Sequence, residues 1–338
     1  MSDSGRLPGN SQLMTSSPAV SVIIPAYNAA PYIGEALDSV FAQTFTDYET
    51  IVVNDGSPDT TELEQVLAPY RERIVYLKQE NSGPGGARNT GILKARGEYV
   101  ALLDSDDLWL PNYLSQQMRA LRENPALDLI YSDALVVGFS PFAGQTFMEN
   151  EPSRGEVTFE SLLRWECTVI TSCVVARRQA LIDAGLFDPN LYYSEDFDLW
   201  LRLAHRGGQI AYQTEVLAHR RSHEASLCAD ESRLLEGEIS VYEKCLRELS
   251  LSTAQRELLK RQMEHRRADL AIVQGKQKLK AGQYAQAREA FRSANQFSPK
   301  RKLRLTLIGL RFAPQLFRRL YDLREQAFAR KYKAKNTA

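Results

Sequence analysis

The chain has 338 residues, of which 43% are hydrophobic, and its 42 Lys or Arg balance its 42 Asp or Glu. This length and composition predict a soluble globular protein of two domains, or of one large domain with an appendage. They exclude a membrane-spanning segment, because no apolar run reaches the roughly 18 to 20 residues that a span needs. Residues 1–19 also lack the apolar run of a signal peptide, so we expect a disordered leader. The cysteines lack the spacing of a metal site or a redox pair, which predicts reduced thiols in a cytoplasmic protein; they are Cys167, Cys173, Cys228 and Cys245.

The net charge of zero hides an uneven distribution along the chain. Residues 256–338 contain 22 Lys or Arg and 6 Asp or Glu, whereas residues 1–255 contain 20 and 36. A basic segment of this kind predicts an anionic partner, such as a membrane surface, a nucleic acid or the acidic part of the same chain. Solvent-exposed helix faces are the alternative explanation.

Strands and helices alternate over the first hundred residues. The run VSVIIPAY (Val20–Tyr27) predicts a strand, and apolar residues at helical spacing from Ile33 to Phe41 predict a helix after it. The plan repeats with the strands YETIVVND, IVYLKQ and YVALLD and with helices from about Thr60 and from the glycine-rich GPGGARN. Strands this apolar must be covered on both faces, so the pattern predicts a parallel sheet flanked by helices.

The pattern changes in the second half of the chain. A helix (PNYLSQQMRALRENP), a strand (DLIYSDALVVG) and a turn-rich loop from Phe139 to Glu156 come first. A strand and helix (SCVVARRQALIDAGLFDP), an amphipathic helix (SEDFDLWLRLAHRGG) and a late strand ending near His223 follow. From Ala229 onward the pattern is almost wholly helical. We therefore predict an α/β domain over residues 20–228 and a basic helical region over residues 229–338.

The stretch YVALLDSDDLW places three carboxylates directly after the fourth predicted strand. Ligands of open α/β sheets bind at the carboxyl ends of the strands. Asp104 and Asp106 are two residues apart on an extended segment and therefore point the same way. Mg²⁺ and Mn²⁺ prefer carboxylate and phosphate oxygens, so the pair predicts a divalent ion that grips a diphosphate. The alternative is that these residues form a turn or cap a helix.

Residues at the neighbouring strand ends predict that this diphosphate is part of a nucleotide. Asp55 follows the second strand, where its carboxylate could accept a hydrogen bond from a base imide N–H. The segment GPGGARN offers glycines for close backbone approach and Arg88 as a phosphate or base partner. Neither the G-x-G-x-x-G fingerprint nor a P-loop is present, so the nucleotide must be bound by another route.

These segments, with SEDFDLWLRLAHRG, resemble in order and spacing the inverting family 2 glycosyltransferases over residues 20–227. The resemblance implies a GT-A type, Rossmann-like and mostly parallel sheet in a catalytic domain at 20–228, followed by an all-α region. It implies an inverting hexosyltransferase that moves one sugar from a nucleotide diphosphate sugar, here taken as uridine-based, to a hydroxyl of a glycan or lipid-linked acceptor in cell-surface polysaccharide synthesis. A Gln-x-x-Arg-Trp motif is absent, which favours single-sugar transfer.

The resemblance also implies roles for individual residues. The residues implied to bind the nucleotide sugar are Pro25, Ala26, Tyr27, Asp55, Gly86, Arg88, Asp104 and Ser105. Mn²⁺ or Mg²⁺ would be held by Asp104, Asp106 and His223, with Arg220 and Arg221 near the diphosphate. Glu195 and Asp196 match the catalytic Glu-Asp pair, and we assign the base to Asp196, because inversion needs a group that takes the proton of the attacking hydroxyl. The alternative is that both carboxylates favour a helix N-terminus.

The C-terminal third predicts two helical features, a hairpin and a basic amphipathic segment. Residues from about 271 to 299 resemble a single tetratricopeptide hairpin, although an ordinary helical hairpin fits as well. The basic amphipathic segment after residue 300 predicts contact with an anionic membrane at its cytoplasmic face, where a lipid-linked acceptor would lie. Packing of its apolar stripe on the catalytic domain is the competing explanation. No nucleic-acid-binding module is recognisable, so nucleic acid is not an expected partner.

Two rival functions follow from the same sequence. A nucleotidyltransferase shares this type of sheet, but it needs a G-x-G-T-R entry after the first strand, and IIPAYNAAPY lacks it. A non-catalytic GT-A scaffold would act through the helical tail after its site had lapsed. Every expected acidic position is filled, which favours the enzyme.

Overall fold

The computed structural model of the protein describes residues 17–223 and 230–323. Residues 1–16 of the predicted leader, Cys228 and the basic residues after position 323 lie outside these ranges.

One mixed sheet of eight strands forms the centre of the described structure, in the order β3-β2-β1-β4-β7-β6-β8-β5. Strands β1 to β4 are mutually parallel where they pair, and β6 is parallel to β8. Strand β7 runs antiparallel to β4 and β6, and β5 runs antiparallel to β8. The strands are β1 (Val20–Ala26), β2 (Tyr48–Asp55), β3 (Val75–Gln79), β4 (Tyr99–Leu102), β5 (Leu108–Trp109), β6 (Leu129–Gly138), β7 (Val174–Arg177) and β8 (Ile210–Ser222).

The predicted α/β class is confirmed, and helices flank the sheet. Those before residue 229 are α1 (Ile33–Phe41), α2 (Thr60–Leu67), α3 (Gly83–Lys94), α4 (Tyr113–Glu123), α5 (Phe147–Asn150), α6 (Phe159–Leu163), α7 (Arg178–Asp183) and α8 (Glu195–His205). The predicted helical tail forms α9 (Glu231–Glu248), α10 (Thr253–Lys280), α11 (Tyr284–Phe297) and α12 (Arg301–Phe312), and residues 314–323 are also helical.

The loop predicted from Phe139 to Glu156 contains a short helix, α5. The side chain of Thr146 accepts a hydrogen bond from the Glu149 N–H, and Glu149 accepts one from the Thr146 N–H. This is a capping box, which stabilises the first turn of a helix. The sequence TFME carries that signal, so the loop prediction was wrong at this point.

Alternate residues of the apolar strands enter two different cores. Ile23 of β1 lies in a cluster with Ile92 of α3, whereas its neighbours Val22 and Ile24 lie in a second cluster with Leu37 of α1. Successive side chains of a strand point to opposite faces, so each core is built on one face of the sheet. This burial explains why the strands are apolar on both sides.

The helices after residue 229 pack in two places. Val241 and Tyr242 of α9 and Leu258 of α10 belong to the cluster that contains Ile23, so these helices pack on the α/β domain. The end of α10 joins α11 and α12 in a third cluster around Phe291. None of the helices within the described ranges combines the length and the apolar character needed to cross a membrane. The domain boundary at residue 229 stays a prediction.

We expect Gly91→Ala to lower the free energy of unfolding by about 1 to 3 kcal/mol, as overpacked cores do. Gly91 lies where α3 crosses β1, and an added Cβ would be 2.4 Å from Ile23 Cγ2. Gly34→Ala in α1 is the matched control, because its nearest contact would be Val66 Cγ1 at 3.4 Å. Urea unfolding of both variants measures the difference. Equal stabilities would contradict the close approach of α3 to β1.

Candidate active site

A cleft of about 530 Å³ opens at the carboxyl ends of β1, β2 and β4. Its wall contains eleven of the twelve predicted site residues: Pro25, Ala26, Tyr27, Asp55, Arg88, Asp104, Ser105, Asp106, Glu195, Asp196 and His223. Gly86 is the exception. It approaches Ser82 so closely that an added Cβ would lie 2.4 Å from the Ser82 Oγ, so its backbone packs against the loop before α3.

Arg88 of α3 connects the two acidic sides of the cleft. Its Nη2 donates to Asp104 Oδ1 at 2.6 Å, and its Nη1 donates to Glu195 Oε1 at 2.8 Å. The residue is only 5% exposed. Burial by itself lowers the pKa of Arg88, but the charges of Asp104 and Glu195 outweigh burial and raise that pKa. A permanently charged guanidinium therefore ties the residue after β4 to the first turn of α8.

The three carboxylates after β4 differ in their electrostatic surroundings. Burial alone would raise the pKa of Asp104, but Arg88 overrides it and holds that pKa below its usual value. Burial and the charge of Asp104 raise the pKa of Asp106. Burial, followed by the charges of Asp106 and Asp104, raises the pKa of Asp107 to about 8. Asp106 and Asp107 are therefore harder to ionise than carboxyl groups in water, and a bound cation would favour their charged forms.

His223 follows β8 and returns to this acidic cluster. Its Nε2 lies 2.9 Å from Asp106 Oδ2, and its ring stacks on Tyr32 with centroids 4.8 Å apart. The guanidinium of Arg221 lies 5.3 Å from the centroid of the Tyr32 ring and also pairs with Glu35 at 2.6 Å. The end of β8 therefore supplies an imidazole and a cation to the side of the cleft that holds Asp106.

Asp106 and His223 fit a divalent ion as two of its ligands. A carboxylate suits Mg²⁺ or Mn²⁺, and a neutral imidazole is a common metal ligand. Within residues 17–223 and 230–323, no three His, Cys, Asp or Glu side chains are arranged to bind a metal ion. The predicted third ligand, Asp104, is instead bonded to Arg88 through its Oδ1. Further oxygen ligands would have to come from the diphosphate of the donor, as is usual for Mg²⁺.

Glu195 and Asp196 open α8 but face different surroundings. Glu195 is 7% exposed, and burial, followed by the charge of Asp196, raises its pKa to about 7 although Arg88 opposes the shift. Asp196 is half-buried; its Oδ2 accepts a hydrogen bond from Thr171 Oγ1 at 2.6 Å, and its Oδ1 accepts one from the Phe197 N–H at 2.8 Å. The geometry makes Asp196 the more accessible carboxylate of the pair.

Asp55 and Tyr27 lie at the other end of the cleft. Asp55 is 2% exposed, and its Oδ1 accepts hydrogen bonds from the Ser82 N–H at 2.9 Å and from Gln79 Nε2 at 2.7 Å. Asp55 therefore fixes the segment that enters α3. Tyr27 is 47% exposed and presents its ring to the opening.

Three residues that line the cleft have strained backbones, which no sequence pattern indicated. Asn28, Trp165 and Ser194 have φ angles of 51°, 58° and 60°, which are uncommon for residues other than glycine. Such strain persists only where the surrounding structure enforces it, and it clusters at functional sites. Ser194 directly precedes Glu195, so the strained turn sets the direction in which α8 leaves the cleft.

Helix α9 supplies part of the wall that sequence reasoning missed. Leu234 and Glu238 line the cleft, and Gly237 packs so tightly on Tyr193 that an added Cβ would be 2.7 Å from the Tyr193 Cβ. Burial raises the pKa of Glu238 to about 7, although Arg266 lies 2.7 Å away and opposes the shift. A glycine in the middle of an amphipathic helix was the available signal for this close packing.

The structure is similar to two solved structures that contain bound nucleotides. It aligns with S. aureus TarS in complex with UDP at a TM-score of 0.61 and 23% identity, covering 91% of each chain. It aligns with the mannosyltransferase PcManGT from Pyrobaculum calidifontis, in complex with GDP-Man and Mn²⁺, at 0.60 and 19% identity, covering 96% and 88%. At these identities the likeness shows the fold alone, and that fold is the GT-A type.

The sequence comparisons identify the family. The family model for Glycosyl transferase family 2 matches residues 21–185. The chain is 30% identical over 188 residues to the Escherichia coli protein UDP-Glc:alpha-D-GlcNAc-diphosphoundecaprenol beta-1,3-glucosyltransferase WfgD, covering 54% of this chain and 69% of WfgD. An uncharacterized glycosyltransferase of Rickettsia typhi is 37% identical over 213 residues, which is 62% of this chain and 66% of that protein. The chain spans less than two thirds of this and the other Rickettsia relatives, down to 31% of one from Rickettsia bellii. The chain belongs to glycosyltransferase family 2.

We expect Arg88→Ala to lower the free energy of unfolding by about 3 kcal/mol, because it leaves the buried carboxylate of Glu195 and the half-buried one of Asp104 without their cation. Arg247→Ala is the control. Arg247 pairs with Glu248 at 2.7 Å, but its side chain is 66% exposed, so its loss should cost less than about 1 kcal/mol. Guanidinium unfolding at pH 7, followed by circular dichroism, measures both values. An Arg88 variant as stable as the Arg247 variant would disprove the bridging role.

Proposed function

We propose that the protein is a metal-dependent, inverting hexosyltransferase that moves one sugar from a UDP-sugar to a hydroxyl of a glycan or lipid-linked acceptor in cell-surface polysaccharide synthesis. The observation that carries this proposal is that a single cleft is lined by Asp106, His223 and Asp196, with His223 Nε2 2.9 Å from Asp106 Oδ2. The names of the relatives support the donor class, because TarS was solved with UDP and PcManGT with GDP-Man and Mn²⁺. WfgD is named for UDP-Glc and a diphosphoundecaprenol acceptor, which supports the choice of uridine and of a lipid-linked acceptor.

The nucleotide end of the donor would lie at the ends of β1 and β2. Tyr27 offers an exposed ring to the base, and Pro25 and Ala26 supply the adjacent backbone. Asp55 holds the entry to α3 in place and lies in the same wall. Asp104 faces the cleft with its position fixed by Arg88, so it is available to the ribose without carrying excess charge.

The diphosphate would lie between the acidic cluster and the end of β8. Asp106 and His223 would hold a divalent ion. The positive charge of this ion would offset the negative charge of the departing diphosphate. Arg220 and Arg221 line the same part of the cleft and add positive charge there. Such fixed charges stabilise the leaving group where its negative charge develops.

Asp196 would act as the base. The hydrogen bonds from Thr171 Oγ1 at 2.6 Å and from the Phe197 N–H at 2.8 Å orient the carboxylate. The carboxylate would take the proton of an acceptor hydroxyl as that oxygen attacks the anomeric carbon from the side opposite the diphosphate. Glu195, buried and bonded to Arg88, would act by holding the first turn of α8 in position.

The cytoplasmic location is part of this proposal. Cys167, Cys173 and Cys245 are buried free thiols, which supports a reducing compartment. We also keep the division into a catalytic domain at 20–228 and a helical region at 229–338 as a proposal.

We expect Asp196→Asn and Asp106→Ala to fail at different steps. The Asn variant should bind UDP with Mn²⁺ normally, yet release UDP from a UDP-sugar about 10² to 10⁴ times more slowly, because only the base is lost. The Ala variant should lose Mn²⁺-dependent binding of UDP, because a metal ligand is removed. Calorimetry with UDP and Mn²⁺ measures binding, and UDP release from a panel of nucleotide sugars measures turnover.

The wild-type protein sets the reference for both measurements. If it gives no heat with UDP and Mn²⁺ and hydrolyses no nucleotide sugar in the panel, the enzyme proposal is wrong and the scaffold alternative gains support. Normal turnover by the Asn variant would overturn the assignment of the base alone.

A further inference from the structure

Helix α12 is apolar on two opposite faces. Leu303 and Leu310 are buried in the cluster around Phe291, where they pack against the preceding helices. Leu305, Ile308 and Phe312 are 61%, 55% and 76% exposed. At about 100° per residue, these three side chains lie on the side of the helix opposite Leu303 and Leu310. A surface helix normally has a single apolar stripe, so the outer stripe needs an explanation of its own.

The helical residues that follow α12 repeat this arrangement. Leu316, Leu320 and Leu323 are 57%, 56% and 61% exposed and are spaced as one stripe. The two helical segments contact each other, since a Cβ added to Gly309 would lie 2.6 Å from Phe317 Cδ2. Of the thirteen large hydrophobic side chains exposed in the described structure, six belong to residues 301–323. We call these six side chains the outer stripe.

Positive charge surrounds the outer stripe. Residues 300–323 contain seven Lys or Arg and one Asp, and residues 324–338 add five Lys or Arg and one Glu to the sequence. At helical spacing, Arg304 and Arg311 flank one side of the stripe on α12 and Lys302 flanks the other. The segment is therefore basic and amphipathic at once.

The acidic helix α9 pairs with two basic residues of α10, but no acidic residue in the described ranges pairs with α12. Arg266 and Arg267 pair with Glu238 and Glu243 of α9 at 2.7 and 2.8 Å. Between the residues that the structure describes, no salt bridge involves a basic residue of α12; these are Arg301, Lys302, Arg304 and Arg311. The basic residues of α12 are therefore not neutralised by a salt bridge within the described ranges, and an anionic partner could contact them.

We propose that the outer stripe and its flanking basic residues form a surface that binds anionic phospholipid. A lipid interface offers an apolar interior for Leu305, Ile308 and Phe312 together with negative head groups for Arg304 and Arg311. A nucleic acid would use the charges but leave the apolar side chains in water. A symmetric dimer would bury the apolar side chains but bring two basic surfaces together. The lipid surface satisfies both features at once.

This surface goes beyond glycosyl transfer, because binding to lipid needs no turnover. One consequence does rest on the proposed function: an enzyme held at the membrane would meet a lipid-linked acceptor where that acceptor is anchored. Vesicle binding and donor binding can therefore succeed or fail separately.

The full-length protein should sediment with vesicles of phosphatidylcholine containing roughly one third phosphatidylglycerol, and remain in solution with phosphatidylcholine alone. Raising the salt from about 0.1 M to about 0.5 M should weaken the binding, because screening acts on exposed charges. The variant L305S/I308S/F312S should bind the anionic vesicles at least about ten times more weakly, because the inserted apolar area is lost. The variant R304E/R311E should lose the preference for anionic vesicles.

The matched control is L93S/F139S/F142S, which removes three apolar side chains that are 56%, 64% and 48% exposed elsewhere on the surface. It should bind the vesicles as the wild type does, and circular dichroism of every variant checks the fold. The proposal is wrong if the wild type ignores anionic vesicles, or if the control loses binding as much as L305S/I308S/F312S. If the wild type does not bind anionic vesicles, light scattering tests the dimer instead. A wild-type dimer that L305S/I308S/F312S converts to a monomer would show that the surface joins two copies of the chain.

Discussion

The two hydrogen bonds of Arg88 determine the geometry on which the cleft depends. One guanidinium reaches Asp104 after β4 and Glu195 at the start of α8, and these carboxylates are 91 residues apart in the chain. Desolvating three charges is costly, and the cost is offset only while both partners stay in place. The bridge therefore fixes the segment after β4 relative to the first turn of α8, which carries Asp196. Charges that are positioned before the substrate arrives need no reorganisation during the reaction.

The parts of the fold that the sequence predicted are those with strong local patterns. Strands β1, β2 and β4 contain buried apolar runs that end in turn residues, and α8 has a clear amphipathic period, so these elements were recognisable. The direction of β7 was not recognisable, because the short sequence VVAR suits a parallel and an antiparallel strand equally. Strand β5 is two residues long and exists only because β8 lies beside it. Pairing partners of this kind are set by the tertiary fold.

The candidate site shows the same division between local and distant signals. The carboxylates of Asp104, Asp106 and Asp196 were visible as clusters at strand and helix ends. The sequence did not show that Arg88 bonds Asp104 and Glu195 together, nor that Ser194 has a left-handed backbone, because both depend on how α3 and α8 meet. The wall contributed by α9 was also missed. Gly237 within this helix indicated a close contact, but its partner Tyr193 is distant in the sequence and could not be identified from a local pattern.

Helix α10 joins two parts of the structure that have separate cores. Its 28 residues correspond to a length of roughly 42 Å at 1.5 Å per residue. Leu258 near its start belongs to the core of the sheet, whereas Leu279 near its end belongs to the cluster of α11 and α12. Among the described buried residues, the two clusters share no member. Changes on the outer stripe therefore leave the packing around Arg88 intact, and the helix carries the basic surface at a distance from the cleft.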